Sequence, residues 1–435
     1  MRTIPSTRAR AIAAPLGAVL PFVLVAAAHA QGNGVRSGRF RVHPEARFEA
    51  RFDNNLYRED AQEESPVAAG YLRLMPSLRL TNPAPGPVSV DGSAGLEIRQ
   101  YLESRINDQQ DALGVGLAAG ATIGQGQGFE LAINQDLRRQ LEVGQGVDQQ
   151  PGTAEPQVEE VDCASPCTFT FWRNVTRLQG RFAPGGGRLV FAPGYKFTLT
   201  RFEEFDTIDK DEHELRAGGS YRFFPRTSFV IDGAYQIIDY TAKQLVGDIS
   251  PVRVQAGLRG LVTTKLAVVL TGGYGSTLTS AKGEQPDDDF AGFIGTAELI
   301  YELTQGLRAR LSYDRDFADS SFSNFVAVDR VGGKLEARLG GNFNATAEFY
   351  ASFRGYSEGR VVDGVSVSAA QLSSREDTFL VGDLAGSYHA NDWLVVTGGY
   401  RLEQNNTEYG SAVGAARNFA AFARHQIFLG LALLL

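Results

Sequence analysis

Between Ala46 and Phe52 apolar and charged residues take turns, with Ala46, Phe48, Ala50 and Phe52 set against Arg47, Glu49 and Arg51. A spacing of two puts each set on its own face of a β-strand, whereas a helix would scatter both sets around its axis. The period returns in Leu72, Leu74, Leu78 and Leu80 against Arg73, Ser77 and Arg79, and in Val88, Val90, Ala94, Leu96 and Ile98 against Ser89, Asp91, Glu97 and Arg99. Further strands are predicted near 112–123, 128–137, 171–183, 188–200, 213–224, 227–239, 252–262, 266–275, 290–303, 307–315, 325–341, 345–356, 377–389, 393–404 and 421–435. Each run is close to the roughly ten residues that a tilted strand needs to cross a bilayer.

The connections between these runs alternate in length. Short turns such as Pro184-Gly185-Gly186-Gly187, Pro225-Arg226-Thr227, Thr263-Thr264-Lys265, Thr304-Gln305-Gly306 and Ala390-Asn391-Asp392 are interleaved with longer polar links at 53–67, 138–168, 201–212, 276–289, 357–376 and 405–420. This rhythm fits strands that run up and down between two different compartments. A membrane offers no water to unpaired N–H and C=O groups, so a spanning sheet must close on itself. The expected fold is all-β: a transmembrane up-and-down antiparallel β-barrel of about 18 strands, with short periplasmic turns and long extracellular loops. A soluble β-sandwich also alternates, but it does not keep the apolar face in one direction through every strand. No internal repeat beyond the hairpin rhythm points to a solenoid or propeller.

Residues 1–30 carry Arg2, Arg8 and Arg10, then an apolar run from Ala11 to Ala27, then Ala28-His29-Ala30. That is the form of a secretory signal peptide with an A-x-A cleavage site near Ala30. The expected organisation is therefore a signal peptide over 1–30, an N-terminal periplasmic segment over 31–44 and an outer-membrane barrel over 45–435. Export permits a disulfide between Cys163 and Cys167, a C-x3-C pair in a polar stretch, with free thiols or a metal pair as the alternatives. No further thiolate or imidazole lies nearby to complete a metal site. The last run alternates through Ile427, Leu429, Leu431, Leu433 and Leu435, like the insertion signal of bacterial outer-membrane barrels, which usually ends in Phe or Trp.

Composition sharpens the reading. The chain of 435 residues is 43% hydrophobic and carries 27 Phe and 15 Tyr, yet polar residues dilute the aromatics throughout, which excludes a helical membrane bundle. The formal charge of -8 argues against nucleic acid as a partner. If the apolar set faces lipid, the alternate set lines the lumen. Its cations are Arg47, Arg51, Arg73, Arg79, Arg99, Arg177, Arg181, Lys196, Arg216, Arg222, Arg253, Arg259, Arg308, Arg310, Arg330, Lys334, Arg338, Arg354 and Arg401. Fewer acids share that phase, among them Glu49, Asp91, Glu97, Asp232, Glu298, Glu302, Glu336, Glu348, Asp383 and Glu403. The negative excess falls in the links, as in Glu59, Asp60, Glu63 and Glu64, in Glu155, Glu159, Glu160 and Asp162, in Glu203, Glu204, Asp206, Asp209 and Asp211, and in Asp287, Asp288 and Asp289. A positive wall in a confined passage concentrates anions, although pairing of these cations with wall carboxylates would leave a merely solvated lumen.

Enzyme chemistry finds little support. Apart from the leader, the histidines are His43, His213, His389 and His425, which the strand phase places before the first strand, at two strand ends, and toward lipid or the interfacial belt. No G-x-S-x-G, H-E-x-x-H or Walker-type loop is present. Gly124-Gln125-Gly126-Gln127-Gly128 and Gly185-Gly186-Gly187 read as tight turns, and Asp287-Asp288-Asp289 as a solvated acidic loop without calcium-loop spacing. Trp172, Tyr195, Phe202, Tyr221, Phe223, Tyr235, Tyr274, Tyr301, Tyr313, Tyr388 and Tyr400 suit interfacial girdles, with some of them packing in the lumen instead. No catalytic residue, cofactor or metal is expected.

Two segments carry a family resemblance. Phe48-Glu49-Ala50-Arg51-Phe52-Asp53-Asn54-Asn55-Leu56-Tyr57-Arg58 resembles the first hairpin of the β-barrel porin type 2 group of outer-membrane proteins, and Tyr221-Arg222-Phe223-Phe224-Pro225-Arg226-Thr227 with Tyr235 and Asp239-Tyr240 is similar to another of its segments. The resemblance implies a barrel in the outer membrane of a Gram-negative bacterium. Its partners would be outer-membrane lipid and lipopolysaccharide, the barrel-assembly machinery and a periplasmic polysaccharide-export protein. It also implies passage of an exported polysaccharide, since some members are encoded with exopolysaccharide assembly machinery. The expected function is a passive conduit for a polysaccharide or other anionic solute. The alternatives are a general diffusion porin, or a plugged structural or adhesive surface barrel.

Overall fold

The computed structural model describes residues 34–58, 66–82, 86–103, 113–143, 168–203, 209–241, 248–280, 289–320, 325–357, 375–409 and 421–434. A three-residue strand β1 (Val35–Ser37) precedes eighteen long ones. These are β2 (Phe40–Asp53), β3 (Ala69–Thr81), β4 (Val88–Tyr101), β5 (Leu113–Ile123), β6 (Phe129–Val143), β7 (Thr168–Phe182), β8 (Leu189–Phe202), β9 (Lys210–Phe224) and β10 (Thr227–Tyr240). The sheet continues with β11 (Asp248–Leu261), β12 (Leu266–Ser280), β13 (Ala291–Thr304), β14 (Leu307–Ala318), β15 (Val326–Leu339), β16 (Phe343–Tyr356), β17 (Arg375–His389), β18 (Leu394–Tyr409) and β19 (Phe422–Leu434). Each long strand pairs antiparallel with its neighbours in sequence, and β19 returns to pair with β2, with Ile427 opposite Phe52 and Leu431 opposite Phe48. The sheet is closed, which is the only way a spanning sheet can have no bare edge.

The first long strand begins at Phe40, and β1 folds back on it, so the chain is already in the sheet within the segment expected to stand apart over 31–44. Residues 1–30, Cys163, Cys167 and Leu435 lie outside the described residues. Short turns keep one end of the barrel tight. Gly185, Gly186 and Gly187 adopt φ of 63°, 77° and 74°, a left-handed run that side chains with a Cβ resist. In another turn the Asn391 side-chain oxygen accepts from the backbone N–H groups of Trp393 and Leu394.

Register partners share a face, so the two faces can be followed around the ring. One carries Phe48, Phe52, Leu72, Leu78, Ile98, Leu117, Leu258, Leu270, Leu311, Leu335, Leu384 and Leu429, all exposed. Phe52 is 51% exposed and Leu429 64%. Large apolar side chains on the outside of a closed sheet, with no second sheet over them, rule out the sandwich alternative. Among the described residues no helix is long and apolar enough to cross a membrane, and the long strands of the closed sheet run to 11 to 16 residues.

The seam between β19 and β2 is held by charge as well as by the ladder. Arg424 donates from Nε and Nη2 to Asp53 Oδ2, at 2.9 and 2.6 Å, and from Nε to Oδ1 at 3.1 Å, and Gln426 donates to Oδ2 at 2.8 Å. Glu403 on β18 accepts from Arg424, Arg58 and Arg401 at 3.3, 3.3 and 2.7 Å. The residues after β2 continue the stitching: the Asn54 N–H donates to the His425 carbonyl, the His425 N–H to the Asn54 side chain, and the Asn55 amide to the Ala423 carbonyl. The Asp-Asn-Asn word that carries the family resemblance is thus the clasp of the barrel.

Asp53 is fully buried, so removing Arg424 strands a carboxylate, at a cost of about 3–5 kcal/mol. Arg424→Ala is expected to lower the temperature at which the barrel loses its compact gel mobility, and Asp53→Ala with Arg424→Ala together should cost less than the two single changes summed.

Candidate functional site: the inner face of the barrel

All nineteen cations singled out in the sequence fall by register on the face opposite the exposed aliphatic rows. Many are paired with neighbours on the same face. Glu49 and Glu97 link Arg51, Arg73 and Arg99 into a chain across β2, β3 and β4, with contacts of 2.5 to 3.1 Å. Lys196 and Arg216 share Glu214, at 3.2 Å each. Arg253 meets Asp316, Arg308 meets Glu302, Arg310 meets Glu298, and Lys334 lies between Glu336 and Glu348. Arg47 pairs with Glu45, Arg181 with Glu130, and Arg401 with Glu403 and Asp383.

A second set makes no ion pair among the described residues. Arg79, Arg222, Arg259 and Arg338 belong to the short-turn half of the wall and are exposed. Arg330 and Arg354 lie nearer the long-link end, where Arg354 is buried, whereas Arg177 is half-buried on the short-turn side of the middle of β7. The inner face therefore changes along its length, from wet and basic at the short turns to packed at the long links.

Two segments produce that packing. After β2 the chain tucks in, so that Leu56 is 1% exposed against Ala69, Tyr71 and Tyr101. Arg58, at a positive φ of 56°, reaches Glu403 and stands over the Phe422 ring. At β14 the ladder to β13 stops at Arg315, while pairing with β15 continues to Ala318. Beyond that point Phe317 stacks on Phe290 and touches Ile294, and Arg253 caps its ring at 4.1 Å. Asp319 accepts from Lys210 at 3.0 Å and from the Tyr240 hydroxyl at 2.7 Å, tying the end of this hairpin to β9 and β10. Burial alone would raise the Asp319 carboxyl, but Lys210 and the Tyr240 hydroxyl hold it below the ordinary aspartate value.

Several expectations change. Phe202 does not join an outer girdle; it faces inward and packs on Phe169 and Phe171. His43 lies within β2 rather than before it, and His213 lies within β9, beside Tyr195 and Phe197 on the outer face. His425, by contrast, keeps its expected outward phase, beside Tyr400, whose hydroxyl is 2.7 Å from its Nδ1. Three acids expected in a free loop are engaged: Glu203 accepts from Arg139 and Trp172, Asp209 from the Phe202 N–H, and Asp211 from Arg201. The hydrogen bonds from Arg139 hold Glu203 below the ordinary glutamate value. The charged pairs Arg424–Asp53, Arg375–Asp377 and Lys210–Glu212 are also on the inner face, at strand ends where alternation fades. Among the described residues no group of His, Cys, Asp and Glu could hold a metal ion.

No family model matches the chain, and no curated protein matches it. Its fold is similar to solved outer-membrane proteins at low identity. Acinetobacter baumannii OccAB4 is 12% identical over 91% of this chain and 98% of that one, with a TM-score of 0.46. Pseudomonas aeruginosa OccK11 (OpdR) is 12% identical over 91% and 96%, with a TM-score of 0.45. The siderophore receptor PirA of the same organism is 8% identical over 90% and 80%, with a TM-score of 0.44.

Proposed function

We propose that this chain is a passive channel in the outer membrane of a Gram-negative bacterium, and that it favours anionic solutes. The observation that carries the reading is the exposed set Arg79, Arg222, Arg259 and Arg338, which make no ion pair among the described residues, on the inner face of a closed barrel whose outer face is apolar. A ring of 16 to 18 strands is wide enough for an aqueous passage. Inside it, fixed positive charge beside a low-dielectric wall raises the local anion concentration. The outer rows of Leu and Phe need hydrocarbon, because an apolar belt of that extent does not stay in water. No step of bond making is required of any residue.

The identity of the cargo divides into two readings. Passage of a polysaccharide rests on the family resemblance. The packing of residues 54–58 and of the β14–β15 hairpin end over the inner face favours small anions, as in a general diffusion porin.

In a planar bilayer separating unequal potassium chloride concentrations, the reversal potential should take the sign of anion preference. Changing Arg79, Arg222, Arg259 and Arg338 together to Gln should lower the anion-to-cation permeability ratio by about tenfold. A cation-preferring channel, or a ratio that the fourfold change leaves untouched, would contradict the assignment. A barrel with no stable open level would instead support the plugged alternative. Permeation should also fall with solute size, such that a charged oligosaccharide of many units blocks or fails to enter while acetate passes.

A further inference from the structure

On the inner face of β15 and β16, near the long-link end, four polar side chains hold buried polar atoms with no hydrogen-bond partner among the described residues. Arg330 lies directly opposite Ser352, and Val328 opposite Arg354, so the two arginines are diagonal neighbours with Ser352 between them. Tyr350 is the next inward residue along β16. Arg354 is 2% exposed, Ser352 0% and Tyr350 7%. None of the three guanidinium nitrogens of Arg354 makes a hydrogen bond, nor do Nε and Nη2 of Arg330, the Ser352 hydroxyl or the Tyr350 hydroxyl.

A buried guanidinium without an acceptor is costly, and native interiors rarely keep one unless something else completes it. The nearby carboxylates do not. Asp377 faces Arg354 across β16 and β17, but Arg375 occupies both of its oxygens, at 3.0 and 2.6 Å. Glu403 is taken by Arg58, Arg401 and Arg424, and Glu348 by Lys334. Asp314 faces Arg330 across β14 and β15 and makes no ion pair with it. The faces of the two guanidinium groups are covered by aromatic rings, Arg354 lying 4.7 Å from the Phe379 centroid and Arg330 5.4 Å from that of Tyr350. Stacking of this kind fixes the plane and leaves the N–H edges to donate. The cluster thus offers two cationic forks and two hydroxyls, and among the described residues it lacks a negatively charged acceptor.

We propose that Arg330, Arg354, Ser352 and Tyr350 form a binding site for a compact oxyanion group, the chemistry shared by a carboxylate, a phosphate and a sulfate. A guanidinium edge matches two oxygens of such a group in parallel, and the hydroxyls can donate to the remaining lone pairs. Access from the lumen rests on the channel reading above, whereas binding does not require conduction. The site would hold an anion in transit or retain one as a resident counter-ion of the wall.

The test uses the purified full chain in detergent, with thermal unfolding followed at constant ionic strength in sodium chloride, sodium phosphate, sodium sulfate or sodium acetate. Saturable stabilisation by at least one oxyanion over chloride is expected, and the four salts distinguish the sources of the group. Arg330→Gln and Arg354→Lys should each weaken the apparent affinity by about tenfold or more, the second because an ammonium keeps the charge and loses the fork. Arg354→Met, which removes the buried charge while conserving volume, should fold without any anion and show no stabilisation by one. Tyr350→Phe gives a milder loss and serves if the arginine variants do not fold. Absence of a saturable oxyanion effect in the wild-type chain, or an equal effect in the variants that fold, would overturn the proposal. Anion preference in a bilayer without such binding would sink this site and leave the channel standing. Saturable binding by a chain that never conducts would do the reverse.

Discussion

Backbone hydrogen bonding between β19 and β2 is the constraint on which everything else depends. With that pairing in place every long strand has two neighbours, and no row of N–H and C=O groups is left to face hydrocarbon. Closure then fixes the two faces. A one-residue slip anywhere in the ring would send Leu, Phe and Ile inward and Arg and Glu into lipid, so the apolar pattern of each strand holds the register of its neighbours. The ion pairs around Asp53, Arg424 and Glu403 sit at this seam, where the last strand in sequence must find the first.

The same geometry separates two uses of charge. Near the short turns the inner cations are exposed, and under the proposed channel function they act through a field felt by solutes. Near the long links the cations are buried among Tyr71, Tyr101, Phe379 and Phe422, and their value lies in matched partners such as Arg375 with Asp377. Arg354 belongs to the packed end by its burial, yet among the described residues it and the adjacent Arg330 lack the carboxylate partners that Arg58, Arg375, Arg401 and Arg424 have.

Much of this was legible in the sequence, because an alternation of two survives wherever one face meets lipid and the other meets water. Arg47 to Phe52 and Leu72 to Leu80 show it plainly, and the phase of the nineteen cations followed from it. Legibility ended where the inner face stops being wet. At the long-link end Tyr71, Ile238, Tyr240, Phe379 and Phe422 point inward, so both faces are apolar and the pattern vanishes. The alternation therefore ends short of the strands: it assigns Asp53, Lys210 and Arg375 to links although they are strand residues, and Phe202 is one of the aromatics that pack inward. The departure of β14 from β13 beyond Arg315 and the absence of a partner for Arg354 are tertiary facts with no local signal.

The central claim is that one face of this sheet meets lipid and the other encloses water, and substituted-cysteine labelling in proteoliposomes tests it most directly. In a background with Cys163→Ser and Cys167→Ser, single cysteines would replace the adjacent residues Leu258 and Arg259 on β11, and Arg310 and Leu311 on β14. The account predicts rapid reaction of R259C and R310C with a charged, membrane-impermeant thiosulfonate, and protection of L258C and L311C. Equal reactivity within each pair, or protection of the arginine positions with labelling of the leucine positions, would contradict it.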